Sequence, residues 1–196
     1  MAEEDLDPRV MHHLPARDYD RVMAECGYEG PQRAAAALAG LGAARDAPLI
    51  EFGTGTGLVG VALRSLGFTV IDGFEHNPEM LAWASGRPGK VYRQIREWDW
   101  TGSPPAAPGT YLNAAAIGIL APSYAPASVI DAGLRLIPSG GLFVFSLSDL
   151  ARGEPDYIGR VRENVDSGFV EIAFREYGRF LPGVDLSADI YVLRRR

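Results

Sequence analysis

The sequence contains a single cysteine, Cys26, and this excludes several kinds of site. A disulfide within the chain needs two cysteines, and so does a metal site built on a cysteine pair. The absence of disulfides suits a reducing compartment. The chain also lacks an apolar run of the roughly 18 residues that a membrane-spanning helix needs. We therefore expect neither a disulfide framework nor a membrane span.

The sequence also contains fewer basic residues than acidic ones. The sequence has 19 Lys and Arg residues against 25 Asp and Glu residues, which gives a formal net charge of −6. A broad phosphate-binding face needs an excess of positive charge, so we expect no nucleic-acid partner. Residues 1–8 are acidic and lack the basic start and apolar centre of a signal peptide, so we expect a cytoplasmic protein.

Most of the chain alternates short apolar strands with amphipathic helices. Strand patterns occupy 48–52, 68–74, 91–95, 111–117 and 142–147, and helical patterns fall between them. Residues 170–175 and 186–193 then alternate apolar and polar side chains around a Pro-Gly link, which is typical of an antiparallel pair. The predicted fold class is α/β: a Rossmann-like, doubly wound, mostly parallel seven-stranded sheet, with a C-terminal antiparallel strand pair and helices on both faces.

No repeat or linker divides the chain. We predict an N-terminal tail over residues 1–17 and a single domain over residues 18–196. The sequence does not indicate how many copies of the chain assemble, so the oligomeric state is left open.

A glycine-rich turn follows the first predicted strand. Its sequence after Glu51 and Phe52 is Gly53, Thr54, Gly55, Thr56 and Gly57. Glycine permits positive φ angles and lets a ligand approach the backbone closely. Glu75 ends the second strand at the same edge of the sheet, where a carboxylate can accept hydrogen bonds from a ribose diol. Because ligands of such sheets bind beyond the carboxyl ends of the strands, this edge is the predicted cofactor site.

The glycine pattern allows more than one interpretation. Residues 55–60 also match the G-x-G-x-x-G pattern of nicotinamide and flavin enzymes, which is weak evidence by itself, and a tight turn without a ligand is the plainest alternative. Two features favour S-adenosylmethionine (SAM) over NAD. Glu51 precedes the first glycine, where a carboxylate can meet the cationic amino end of methionine, and no second substrate domain follows residue 147.

Several segments resemble the class I SAM-dependent methyltransferases. Residues 51–57 resemble the first motif of that superfamily, residues 74–81 its second motif, and residues 138–142 the turn before its fifth strand. Residues 18–31 are similar to the branch named for the Williams–Beuren syndrome region, and the likeness extends over residues 18–192. The resemblance implies methyl transfer from SAM to a small-molecule acceptor, with S-adenosylhomocysteine as the product. An NAD-dependent oxidoreductase and a non-catalytic SAM-binding protein are the alternatives.

The resemblance also implies a set of site residues. Those on the cofactor side are Glu51, Gly53, Thr54, Gly55, Gly57, Glu75, His76, Met80, Trp98, Asp99, Trp100 and Ile117. In this set the methionine end meets Glu51 and the first glycines, the ribose meets Glu75, and the adenine amino group meets Asp99. On the substrate side, Tyr19 and Tyr28 belong to an implied helical lid over residues 18–46, and Tyr124 follows the fourth strand. No metal ligand is expected.

Two positions depart from the superfamily pattern. Leu112 stands where an aspartate is common at the start of the fourth strand, and Pro122 lies in a segment that often carries a histidine. The second change removes a candidate base, so no catalytic residue is assigned. His12, His13 and Tyr124 could supply a base, but we interpret His12 and His13 as a solvated pair. Cofactor binding is therefore better supported by the sequence than turnover is.

Overall fold

The computed structural model describes residues 7–100, 102–122 and 124–196. This part of the chain forms one seven-stranded sheet in the order β3-β2-β1-β4-β5-β7-β6. Its strands are β1 (Leu49–Phe52), β2 (Ile71–Glu75), β3 (Gln94–Glu97), β4 (Asn113–Ala116), β5 (Leu142–Ser148), β6 (Val170–Leu181) and β7 (Leu186–Arg195). The first five run parallel, and β7 pairs antiparallel with both β5 and β6. The predicted fold class is confirmed.

Helices cover both faces of the sheet. They are α1 (Ala16–Glu25), α2 (Gly30–Gly40), α3 (Leu58–Ser65), α4 (Pro78–Ser85), α5 (Ser128–Leu136), α6 (Asp149–Arg152) and α7 (Pro155–Asp166). Residues of α1 to α4 join one buried apolar cluster, and residues of α5 to α7 join a second cluster on the other face. Successive side chains of β1 point to opposite faces, so Leu49 lies in the first cluster and Ile50 in the second. None of the described helices is long and apolar enough to cross a membrane.

The short helix α6 follows β5 directly and is not predicted from the sequence. The antiparallel pair is also longer than predicted, because β6 continues to Leu181 and β7 to Arg195. Two register shifts interrupt the β6–β7 pairing, between residues 172 and 174 and between residues 179 and 181. The second half of β6 shows no two-residue alternation in the sequence because its consecutive residues 175–177 are all exposed.

The N-terminal segment packs against the domain. Residues Met11–His13 form a 3-10 turn in which Met11 is buried. The Ala16 backbone N–H, at the start of α1, donates a hydrogen bond of 3.0 Å to Glu79 Oε1 in the first turn of α4. This contact directs the segment across the carboxyl ends of the strands.

The order of the strands determines where a ligand can bind. The chain winds outward from β1 through β2 to β3, and then crosses back to β4 on the other side of β1. The connections leaving β1 and β4 therefore diverge to opposite faces and leave a crevice between them. The glycine turn after β1 lies at this point.

Candidate active site

The glycine turn is closed on one side and open on another. Gly53, Gly55 and Gly57 have φ angles of +65°, +52° and +97°, a region that favours glycine. A Cβ atom on Gly53 would lie 2.3 Å from Ile119 Cγ2, whereas one on Gly55 would meet no atom within 4 Å. Gly53 is therefore required by packing against the segment after β4, while the backbone at Gly55 borders open space.

Glu75 holds the turn in place from below. Its fully buried carboxylate accepts a hydrogen bond of 2.8 Å from the Gly55 N–H at Oε2. Oε1 accepts two bonds of 2.9 Å from the backbone N–H groups of His76 and Asn77. A carboxylate offers about four acceptor positions, and backbone amides fill three of them. His76 Nδ1 also lies 3.0 Å from Oε1, and the Tyr124 hydroxyl hydrogen-bonds the same carboxylate.

A cavity of about 250 Å³ lies above the turn, between the ends of β1, β2 and β4. Nine of the residues implied by the resemblance line it: Tyr19, Tyr28, Gly53, Thr54, Gly55, His76, Met80, Ile117 and Tyr124. These residues come from five separate parts of the chain. The structure thus brings the cofactor-side and the substrate-side residues of the sequence analysis to one cavity.

Six other implied residues are not among the described residues that line this cavity: Glu51, Gly57, Glu75, Trp98, Asp99 and Trp100. Trp98 is buried and donates its Nε1 hydrogen to Ser103 O at 2.8 Å. Trp100 is buried behind His76, with 5.3 Å between the two ring centroids. Asp99, between them, is exposed. This segment backs the cavity wall rather than forming its surface.

Glu51 lies under the turn as an incompletely paired buried acid. Its side chain is fully buried, and Oε2 accepts a hydrogen bond of 3.0 Å from the Tyr92 hydroxyl. Oε1 has no hydrogen-bond partner among the described residues. Burial raises the pKa of Glu51 from 4.5 to about 8, and the nearby Glu75 acts in the same direction. A buried carboxylate oxygen without a partner is a place where a cation from outside can be accommodated.

Eight further residues line the cavity without having been assigned to the site from the sequence: His12, His13, Thr56, Leu58, Val59, Asn77, Gly118 and Ile119. The two histidines matter most, because the sequence holds three histidines in all and every one of them lines this cavity. The interpretation as a solvated pair fits His13, which is exposed, but not His12, which is half-buried against Tyr124.

The histidines form part of an aromatic cluster with Tyr124. The ring centroids of His12 and Tyr124 lie 5.0 Å apart, and those of His76 and Tyr124 lie 5.1 Å apart. Burial lowers the pKa of His12, and the neighbouring His13 and His76 lower it further. Among the residues that the structure describes, no group of three or more His, Cys, Asp or Glu side chains is arranged to hold a metal ion.

Helix α1 is tied to the glycine turn by Asp20. Its Oδ1 accepts a hydrogen bond of 2.5 Å from the Thr56 hydroxyl, and its Oδ2 lies 2.5 Å from Arg87 Nη2. The Arg87 Nε–H in turn donates to the Thr56 carbonyl oxygen. These bonds join α1, the turn after β1 and the segment after α4 at one edge of the cavity.

The comparisons with known proteins agree with this geometry at the level of the fold. No protein-family model matches the sequence, and no curated protein matches it. Among solved structures, geranyl diphosphate methyltransferase in complex with GPP and sinefungin is similar, with a TM-score of 0.65 and 12% identity over 84% of this chain and 78% of that one. Magnesium protoporphyrin IX methyltransferase (ChlM) from Synechocystis PCC 6803 with bound S-adenosylhomocysteine gives a TM-score of 0.62 and 14% identity over 85% and 82%.

The [4+2]-cyclase SpnF is also similar, with a TM-score of 0.65 and 14% identity over 84% of this chain and 81% of that chain. At these identities the likeness shows the fold alone. The chain has the Rossmann-like fold of its structural neighbours, which include class I SAM-dependent methyltransferases with different substrates.

Proposed function

We propose that this protein is an enzyme that transfers a methyl group from SAM to a small-molecule acceptor. The observation that carries the proposal is the buried Glu51 Oε1, which has no partner among the described residues and lies beneath an open glycine turn. The ammonium group of a methionine end would supply the missing donor. A dinucleotide would instead bring an anionic pyrophosphate to the turn, and this group offers Glu51 no cationic partner.

The rest of the cavity fits the other parts of SAM. We assign Glu75 to a ribose hydroxyl, which would take the place of the Tyr124 hydroxyl on this carboxylate, and the side chains of His76 and Met80 to the adenine. Ile117 and the backbone of residues 53–55 face the methionine part. Gly57, Trp98, Asp99 and Trp100 support this site from behind, the last three through the contact between Trp100 and His76.

The N-terminal helices act as a lid in this proposal. Tyr19 and Tyr28, within residues 18–46, line the cavity together with Tyr124 and are assigned to the acceptor side. The bonds of Asp20 to Thr56 and Arg87 hold α1 closed over the turn. SAM carries its own electrophile, because the sulfonium makes the methyl carbon reactive. The main task of the protein is to align acceptor, methyl carbon and sulfur, and good alignment supplies up to roughly 7–11 kcal/mol.

The acceptors of the structural neighbours are not carried over to this chain. Geranyl diphosphate bears a diphosphate, whereas His is the only residue type with a cationic form among the described residues that line the cavity. The net charge of −6 also supports the proposal of a small-molecule acceptor rather than a nucleic acid. From the sequence features given above, we also propose that the protein belongs to the branch named for the Williams–Beuren syndrome region and that it is cytoplasmic.

A protein that binds SAM without methyl transfer is the second candidate. The specific observation in its favour is the fold shared with the [4+2]-cyclase SpnF, together with Leu112 at the start of the fourth strand. Calorimetry with SAM, S-adenosylhomocysteine and NAD tests the cofactor. We expect the first two to bind and NAD not to bind, and binding of NAD alone would reject the proposal.

Transfer of a labelled methyl group from SAM to a panel of small molecules tests the reaction. Label in an extracted product supports the enzyme. Tight SAM binding without any labelled product across the panel supports the second candidate.

A further inference from the structure

A second, smaller cavity adjoins the first. It measures about 80 Å³ and lies between the N-terminal segment, the end of β5 and the β6–β7 hairpin. The two cavities share five lining residues: His12, Tyr19, Tyr28, Gly118 and Tyr124. Since those residues form a common wall, molecules in the two cavities would lie side by side.

The lining of the small cavity is apolar and uncharged. Its apolar part comes from Met11, Met23, Leu120, Phe180 and Leu181, all of them buried. The described residues that line it include no Asp, Glu, Lys or Arg. A carboxylate, phosphate or ammonium group entering this space would lose its hydration without gaining an opposite charge, which costs several kcal/mol.

Polar groups are few and are placed at the edge of the sheet. The buried Ser146 hydroxyl, on β5, accepts a hydrogen bond of 2.8 Å from the Gly118 N–H. A hydroxyl that accepts one bond can still donate its own hydrogen. Ser148, two residues on, also lines the cavity. The small cavity is therefore suited to an uncharged molecule that has one or two hydrogen-bonding oxygens.

His12 lies at the boundary between the cavities. Its ring packs against Tyr124, and Tyr19, His13 and His76 are the other titratable side chains beside it. Because burial lowers the pKa of His12, its imidazole is neutral at neutral pH and has one ring nitrogen free to accept a proton. A neutral imidazole is an effective base for a weakly acidic hydroxyl, such as that of a phenol or an enol.

We propose that the small cavity binds the methyl acceptor, an uncharged molecule of about one ring with a phenolic or enolic hydroxyl, and that His12 is the general base for it. This inference rests on the proposed methyl transfer. The volume of about 80 Å³ is below the roughly 150 Å³ of an apolar cavity that holds benzene, so side chains of the lining have to move to admit the acceptor ring. Met11 and Met23 have flexible side chains that can adapt to it.

The chemical step balances without a further reactant. The hydroxyl oxygen of the acceptor forms a bond to the methyl carbon, and the bond between that carbon and sulfur breaks, with both electrons going to sulfur. His12 takes the hydroxyl proton and afterwards gives it to water. The products are a methyl ether, S-adenosylhomocysteine and one proton.

A matched pair of acceptors tests the substrate class. In 4-methylphenol a methyl group replaces the carboxylate of 4-hydroxybenzoate, and both carry the same phenolic hydroxyl. With labelled SAM and the full-length protein, we expect kcat/KM for 4-methylphenol to exceed that for 4-hydroxybenzoate by about tenfold or more. SAM binding without transfer to 4-methylphenol, or a preference for the carboxylate, overturns this inference and leaves the proposed function standing. Absence of SAM binding overturns both.

Variants test the role of His12. We expect His12→Gln to lower kcat by about 100- to 10,000-fold, the usual contribution of a general base, while the Kd for SAM stays within about threefold. Val10→Ala changes an exposed side chain in the same segment and should leave both values unchanged. Ala121→Phe fills the small cavity from a position outside the large one, so it should abolish transfer and preserve SAM binding. Full activity of His12→Gln or of Ala121→Phe rejects the assignment.

Discussion

Binding of SAM should release a proton from Glu51. The pKa of this buried acid is raised to about 8, so about nine-tenths of the molecules carry a protonated Glu51 at pH 7. An ammonium group placed against the unpartnered Oε1 favours the carboxylate and lowers the pKa by about 1–3 units. With a shift of two to three units, about 0.8 to 0.9 proton leaves Glu51 for each SAM bound at pH 7.

Calorimetry in buffers of different ionisation enthalpy measures this proton directly. The observed binding enthalpy plotted against the buffer ionisation enthalpy has a slope equal to the number of protons released. The control ligand is 5′-methylthioadenosine, which has the nucleoside but no amino-acid end and should give a slope near zero. The control protein is Glu51→Gln, which has no proton to lose. A slope near zero with SAM at pH 7, or an equal slope with Glu51→Gln, would refute the assignment of Glu51 to the ammonium group.

The same raised pKa has a consequence for stability in the absence of ligand. The folded state binds the proton of this carboxyl group more tightly than the unfolded state does. The resulting contribution to stability is fully present below pH 4.5 and is lost as the pH rises to about 8. Thermal unfolding should therefore show Glu51→Gln close to the native protein near pH 4 and more stable than it at pH 8. A native protein that is the more stable of the two at pH 8 would contradict the raised pKa.

Three further substitutions have definite expected results. Gly53→Ala combines a positive φ with a Cβ 2.3 Å from Ile119 Cγ2, so urea unfolding should show that the free energy of unfolding falls by about 2 kcal/mol or more. The control is Gly42→Ala, which has φ +73° and open space and should lose about 1 kcal/mol. Equal losses in the two variants would show that the contact with Ile119 has no effect. Glu75→Gln replaces one acceptor oxygen by a donor under three backbone amides, so both the free energy of unfolding and SAM affinity should fall by about 1–3 kcal/mol, and unchanged affinity in a folded variant would contradict the ribose assignment. Asp20→Asn weakens a partly exposed ion pair, so unfolding should change by less than about 1 kcal/mol while stopped-flow dissociation of SAM becomes faster, and an unchanged rate would exclude the lid.

Much of the fold could be predicted because its signals are local. Runs such as Leu49 to Phe52 and Leu142 to Leu147 are mostly apolar and buried on both faces, as expected of central strands in a covered sheet, and each directly follows a glycine or proline. The fourth strand was the least secure prediction, because Ala114 to Ala116 favour a helix, although they form part of β4. The third strand lies at Gln94–Glu97 rather than at the predicted 91–95, and its signal is weak for a physical reason. Gln94–Glu97 is half-exposed and pairs with β2 only, so its side chains are less restricted to apolar types.

Only the parts of the site that are formed by residues adjacent in the sequence could be predicted. The glycine turn is formed by five consecutive residues, whereas His12 reaches the cavity through the burial of Met11 and the bond from Ala16 to Glu79. Those contacts join distant parts of the chain, so no pattern in residues 1–17 reveals them. For Glu51 and Glu75 the sequence indicates their place at the strand ends. It does not indicate that backbone amides already engage Glu75 or that Glu51 lies beneath the turn.

The wall shared by the two cavities has a thermodynamic consequence. Tyr19, Tyr28 and His12 each face both spaces, so an occupant that shifts one of these side chains alters the affinity of the other space. Linkage makes that effect reciprocal: whatever factor the donor adds to the affinity for the acceptor, the acceptor adds to the affinity for the donor. In the proposed reaction, the same reciprocity would link release of the methyl ether to release of S-adenosylhomocysteine.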